Sequence, residues 1–143
     1  MKITLVTGAT GAGKSQMLHA LKREKNIFYV DPLAVDLSFH AAWSTPGEGV
    51  EGVVFDHIIH MVKPSAQIRE AMAWCEANDV PLYLCDQERD EIEALNIVLP
   101  VDTPELNVRG ISFNARLSTP SYNGNFSLGD SSIATDLQRT GAV

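Results

Sequence analysis

Eight residues near the start of the chain, Gly8-Ala9-Thr10-Gly11-Ala12-Gly13-Lys14-Ser15, set three glycines, a lysine and a hydroxyl at the spacing G-x-x-x-x-G-K-S. A string of this kind can hold a phosphate chain. Glycines permit positive φ and close approach, so successive backbone N–H groups can wrap an anion, and a helix starting near Lys14 would aim its positive dipole end at the same charge. Lys14 would then reach the β and γ phosphates and the Ser15 hydroxyl would bind Mg²⁺, with Gln16 next along the cradle. The competing reading is a glycine turn between strand and helix, or a site that has decayed.

The segments around the string decide what it can be attached to. "KITLVT" is a β-branched run that enters the glycine loop directly, and Met17, Leu18 and Leu21 recur at helical spacing after it, with the charged "KREK" at the helix end. "NIFYVD" predicts a second strand closed by Asp31-Pro32, "GVVFDH" a third, and "VPLYLCDQ" a fourth. "KPSAQIREAMAWCEAND" predicts a helix entered through Pro64-Ser65, with Ile68, Ala71, Met72 and Cys75 on one face. "ERDEIEAL" reads as a short exposed helix and "NIVLPV" as a fifth, shorter strand, while "LAVDLSFHAAW" allows one helical turn or two before the loop "STPGEGVEG".

Strands alternating with helices predict a three-layer, doubly wound α/β domain over residues 1–116, built on a mainly parallel sheet of about five strands. From Leu117 to Val143 the chain is rich in Ser, Thr, Gly and Asn, which predicts a polar, flexible tail or an arm that orders on a partner. The 143 residues fit one domain, and no internal repeat is visible.

The eight-residue string is the Walker A pattern, and here the chain resembles the P-loop NTPase superfamily over roughly its first hundred residues. "VVFDH" is similar to a Walker B strand, so the resemblance implies that Asp56 helps hold Mg²⁺. "LYLCDQ" sets Asp86 and Gln87 where the additional-strand ATPases, the RecA-like and HerA/FtsK-like branch, carry a polar sensor. Gln87 would then contact the γ-phosphate or its attacking water; a turn-forming polar pair is the other reading. The implied protein is a minimal, P-loop-type ATPase using ATP or another nucleoside triphosphate with Mg²⁺, with catalytic residues Lys14, Asp56, Gln87 and Asp31. Its implied working form is a homo-oligomer or a complex with a protein partner, as in phage or plasmid assembly and packaging.

The chain departs from that pattern at His57, which follows Asp56 where many such motors carry a glutamate that polarises water. Asp31 is the candidate substitute, or else it caps the turn before Pro32. Small nucleoside and nucleotide kinases also fit the strand order, although no arginine-rich lid or zinc-binding cysteine cluster is visible; a nucleotide-binding switch with little turnover is the third possibility. Arg109, Arg116 and Arg139 follow the last core segment, and Arg109 or Arg116 would be available as an arginine finger in a neighbouring subunit.

The remaining residues carry less. His57 and His60 have a spacing that metal ligands use, but without a third ligand they read as polar residues beside a site. His19 and His40 show no pattern, and Trp43 and Trp74 read as core or interface residues. Cys75 and Cys85 lie in apolar surroundings and read as buried, reduced thiols. Eleven basic against eighteen acidic residues give a net charge of -7, so contact with DNA would have to be local. No apolar run approaches the roughly 20 residues of a membrane span and no signal-peptide core is seen, which predicts a cytoplasmic protein, in the host cytoplasm if phage-encoded.

Overall fold

The computed structural model describes residues 2–9, 12–100 and 102–109, together with the backbone of strands 114–119 and 122–127. Five parallel strands form the centre of the sheet: β1 (Ile3–Thr7), β2 (Ile27–Val30), β3 (Gly52–Phe55), β4 (Leu82–Cys85) and β5 (Glu105–Val108). Two further strands, β6 (Asn114–Thr119) and β7 (Tyr122–Ser127), continue it antiparallel, giving the order β2-β3-β4-β1-β5-β6-β7. The helices are α1 (Lys14–Glu24), α2 (Pro64–Asn78) and α3 (Arg89–Glu93), with one 3-10 turn at Ile58–His60.

β1 to β4 are buried along their whole length because both faces of the sheet are covered. On one face α1 presses Met17, Leu18 and Leu21 against Val6, Tyr29, Val54, Cys85 and Leu106. On the other, Ile68, Ala71 and Cys75 of α2 and Ile92 of α3 cover Leu5, Val30, Phe55 and Leu84. The expected three-layer α/β arrangement is present. Pro64 opens α2, where its missing N–H costs nothing, and Asp79 ends it in the left-handed region. Trp43 and Trp74 pack together over this second layer, with Trp43 stacked on Phe55.

Three expectations need correcting. The described part of "NIVLPV", residues 96–100, forms no strand: Ile97 is buried, but Val98 is 87% exposed. The fifth strand is "ELNV", whose Leu106 and Val108 face the core while Glu105 and Asn107 stand on the other side. The segment after Pro32 contains no helix; it loops out and returns at His40, which bridges to Val30 and stacks on Phe28. The stretch expected to be tail carries strand structure at 117–119 and 122–127, paired from Thr119↔Tyr122 to Asn114↔Ser127. Backbone pairing adds a hairpin to a sheet edge without the apolar side chains a core strand requires. Residues 128–143, including Arg139, lie outside the described residues. Among the described residues, no helix is long and apolar enough to cross a membrane.

Strand register positions the site. Val30 pairs with Phe55, Phe55 with Leu84, and Cys85 with Val6, so the residues that follow, Asp31, Asp56, Asp86 and the glycine loop, emerge at one edge. The β1–β4 pairing extends past the strand ends through Asp86 N–H to Val6 O (3.1 Å) and Gly8 N–H to Gln87 O (3.0 Å). Carboxyl ends of parallel strands are where α/β proteins bind ligands.

Phe55 is fully buried between α2 and the aromatic layer, so Phe55→Ala should cost about 3–5 kcal/mol in urea unfolding. Val35→Ala, at a position 98% exposed, should stay within about 0.5 kcal/mol of the parent.

Candidate functional site

The loop after β1 is shaped by two glycines. Gly8 has φ +149°, and a Cβ there would stand 2.6 Å from the Val108 carbonyl oxygen, so β5 leaves room for no side chain. Gly13 has φ 100° and turns the chain into α1. Between them Ala12 N–H donates to Ala9 O at 3.0 Å. Thr10 and Gly11 lie outside the described residues. Lys14 folds back over the loop, its Nζ donating to Gly8 O (2.9 Å) and Ala9 O (3.3 Å).

Next to this loop opens a cleft of about 330 Å³. Gly13, Lys14, Ser15 and Gln16 form one wall, and Asp56, His57 and His60 another. Asp86 and Gln87 from the end of β4 close it. Lys14, Asp56 and Gln87 thus share one cleft, and Asp31 is not among its lining residues. Arg109 does not reach in: its Nε donates to Asn107 Oδ1 at 3.0 Å.

Asp56, only 1% exposed, is the centre of the polar network. Its Oδ2 accepts from Ser15 Oγ (2.8 Å) and from Tyr29 Oη (2.6 Å), and its Oδ1 accepts the His57 backbone N–H (2.8 Å). Burial and the neighbouring carboxylate push both the Tyr29 phenol and the Cys85 thiol far upward, so both stay neutral. Cys75 is likewise a buried free thiol, pushed up by burial to about 12.

Asp31 is buried too, and it touches His57. The His57 Nδ1 lies 2.9 Å from Asp31 Oδ1, which also accepts the Leu33 backbone N–H at 2.9 Å. A carboxylate can only accept, so the neutral ring carries its proton on Nδ1 and keeps Nε2 as an acceptor. His57 itself adopts φ 51°, ψ 45°, a left-handed conformation unusual for a residue with a side chain. Its ring centroid is 6.4 Å from that of His60.

Two residues were not anticipated. Tyr29, within the second strand, delivers its hydroxyl to Asp56; a buried tyrosine needs such a partner, and that need was the available signal. His19 is one helical turn beyond Ser15 and lies with Asp31 and Asp56, the three offering ligand atoms within 4.8 Å of one another. Burial lowers the His19 pKa, opposed by Asp56 and Asp31. The i, i+4 spacing from Ser15 would have placed it on the site face of α1.

Asp86 differs from the other carboxylates. Burial, followed by a hydrogen bond with Glu91, pushes its carboxyl up to about 6. No protein-family model matches this chain, and no curated protein matches it.

The raised Asp86 value has a definite sign. The folded protein holds this proton more tightly than the unfolded chain, so Asp86 contributes most below the ordinary carboxylate value of 3.8 and that contribution fades as pH rises through about 6. Urea midpoints measured from pH 4 to 7 should therefore fall less steeply with pH in Asp86→Asn than in the parent; identical slopes would contradict this.

Proposed function

We propose that the chain is a P-loop nucleoside triphosphatase, using ATP or a related triphosphate with Mg²⁺ and working with a macromolecular partner or further copies of itself. The observation that carries this reading is the conjunction at one sheet edge of the glycine loop, Lys14, and the Ser15–Asp56 hydrogen bond of 2.8 Å. The strand order supports the additional-strand branch: β4 stands between β1, which ends in the glycine loop, and β3, which ends in Asp56.

The residues fit the cargo they would carry. A hydroxyl and a carboxylate side by side are the hard oxygen donors that Mg²⁺ takes, so Ser15 and Asp56 would hold the ion. Bound there, it would neutralise phosphate charge. The loop amides would bind the phosphate chain, and Lys14 would exchange the Gly8 and Ala9 carbonyls for phosphate oxygens.

His57 then takes the task of the glutamate it replaces. Asp31 fixes the ring and its tautomer through the 2.9 Å contact, leaving Nε2 to accept a proton from the attacking water. Asp31 acts here as a positioning residue. Gln87, in the cleft wall, would orient the same water.

A partner surface is also supported. Leu33, Val35 and Leu37 after β2 are 53%, 98% and 99% exposed, and Ile59 and Val62 after β3 are 69% and 77% exposed. Both segments leave the sheet at the site edge. Grouped apolar exposure of this kind suits docking of another protein surface better than a metabolite.

Phosphate release from ATP, measured with Mg²⁺ across protein concentrations, tests the reading. Lys14→Ala should abolish turnover and weaken ATP binding. Asp56→Asn should remove the Mg²⁺ dependence. His57→Ala should lower turnover by about 10²–10⁴-fold with ATP binding nearly unchanged. ATP binding by Lys14→Ala as tight as the parent's would refute the cradle, and turnover only with an added nucleoside would make the protein a kinase.

A further inference from the structure

We propose that His19, Asp31 and Asp56 form a binding site for a first-row divalent transition metal, of the manganese or zinc type. The donor set is drawn from three elements: His19 from α1, Asp31 from the end of β2 and Asp56 from the end of β3. Their ligand atoms lie within 4.8 Å of one another. A tetrahedral ion with bonds of about 2.1 Å holds its ligands about 3.4 Å apart, so side-chain shifts of about 1 Å close the three around it.

A second observation concerns the same histidine. Nε2 of His19 is buried and has no hydrogen-bond partner, a costly condition for a ring nitrogen among the described residues. The ring is held edge-on to Tyr29 at 5.1 Å and tilted against Phe39 at 5.0 Å, which fixes its plane. Asp31 and Asp56, 5% and 1% exposed, bring two carboxylates to the same spot. Among the described residues the basic side chain within 4 Å of both carboxylates is His57, and with its ring neutral a divalent cation would balance the charge the fold concentrates here.

The chemistry of the donors chooses the ion. One imidazole nitrogen with two carboxylates suits manganese, zinc, iron or cobalt, whereas Mg²⁺ and Ca²⁺ prefer oxygen alone. An outer layer is already in place: Asp31 is held by His57 Nδ1 and the Leu33 N–H, and Asp56 by Tyr29 and the His57 N–H. The site shares Asp56 with the Mg²⁺ position proposed above, but it needs no nucleotide, and its nitrogen ligand, His19, tells the two apart.

Manganese alone, titrated into the full chain without nucleotide or magnesium, is the probe. Loss of the free-ion electron paramagnetic resonance signal counts sites, and pulsed measurements report a directly bound ¹⁴N. The expected result is one Mn²⁺ per chain with a nitrogen coupling. His19→Gln should remove that coupling and weaken binding on the order of tenfold or more, and Asp31→Asn should weaken binding similarly. His40→Gln, His57→Gln and His60→Gln should retain the nitrogen signal, which assigns it to His19 even if His19→Gln does not fold. Absence of saturable binding, Mn²⁺ bound through oxygen only, or a nitrogen signal that survives in folded His19→Gln would each overturn the site.

Discussion

A buried carboxylate must be given donors, and Asp56 receives them from every side. Ser15 reaches it from α1, Tyr29 from β2, and the His57 N–H from the turn beyond β3. Removing such a charge from water is affordable only when hydrogen bonds replace the lost hydration. The consequence is that α1, β2 and the end of β3 are tied at one point, on the sheet edge where the glycine loop begins. The relative positions of Lys14, Ser15 and His57 depend on that tie. Losing the acceptor would leave several donors without a partner at once.

Around it, polar groups are arranged in two layers. Asp31 repeats the arrangement of Asp56 one strand outward, accepting from His57 Nδ1 and the Leu33 N–H. His57 therefore touches both carboxylates, the first through its backbone and the second through its ring. Its left-handed backbone accompanies both contacts. Asp86 stands apart, paired with Glu91, and brings a different proton affinity to the opposite wall of the cleft.

The central fold was legible because its segments have strong, short-range patterns. β1 to β4 are apolar runs with punctuation at Gly8, Pro32, Gly52 and Pro81, and α1 and α2 show clear helical faces. β5 was not, since "ELNV" keeps only two core residues and loses to the more apolar Ile97-Val98-Leu99, which is held in a loop between the α3 turn and Pro100. The β6–β7 hairpin depends on pairing with an existing edge, a long-range condition invisible in a polar segment. At the site, Lys14, Ser15, Asp56 and Gln87 could be named from spacing and strand ends. Asp31 was placed correctly at its strand end, but its contact with His57 arises only from the parallel pairing of β2 with β3. His19 and Tyr29 lacked a motif; their roles come from facing Asp56 once α1 folds onto the sheet.

Calorimetric titration of the parent protein with ATP, ADP, AMP and adenosine in the presence of Mg²⁺ asks most directly whether the loop is a diphosphate cradle. If Lys14 and the loop hold a phosphate chain as proposed, ATP and ADP should bind saturably and AMP and adenosine at least about tenfold more weakly. Equal affinity for all four, or no binding of any, would contradict the account.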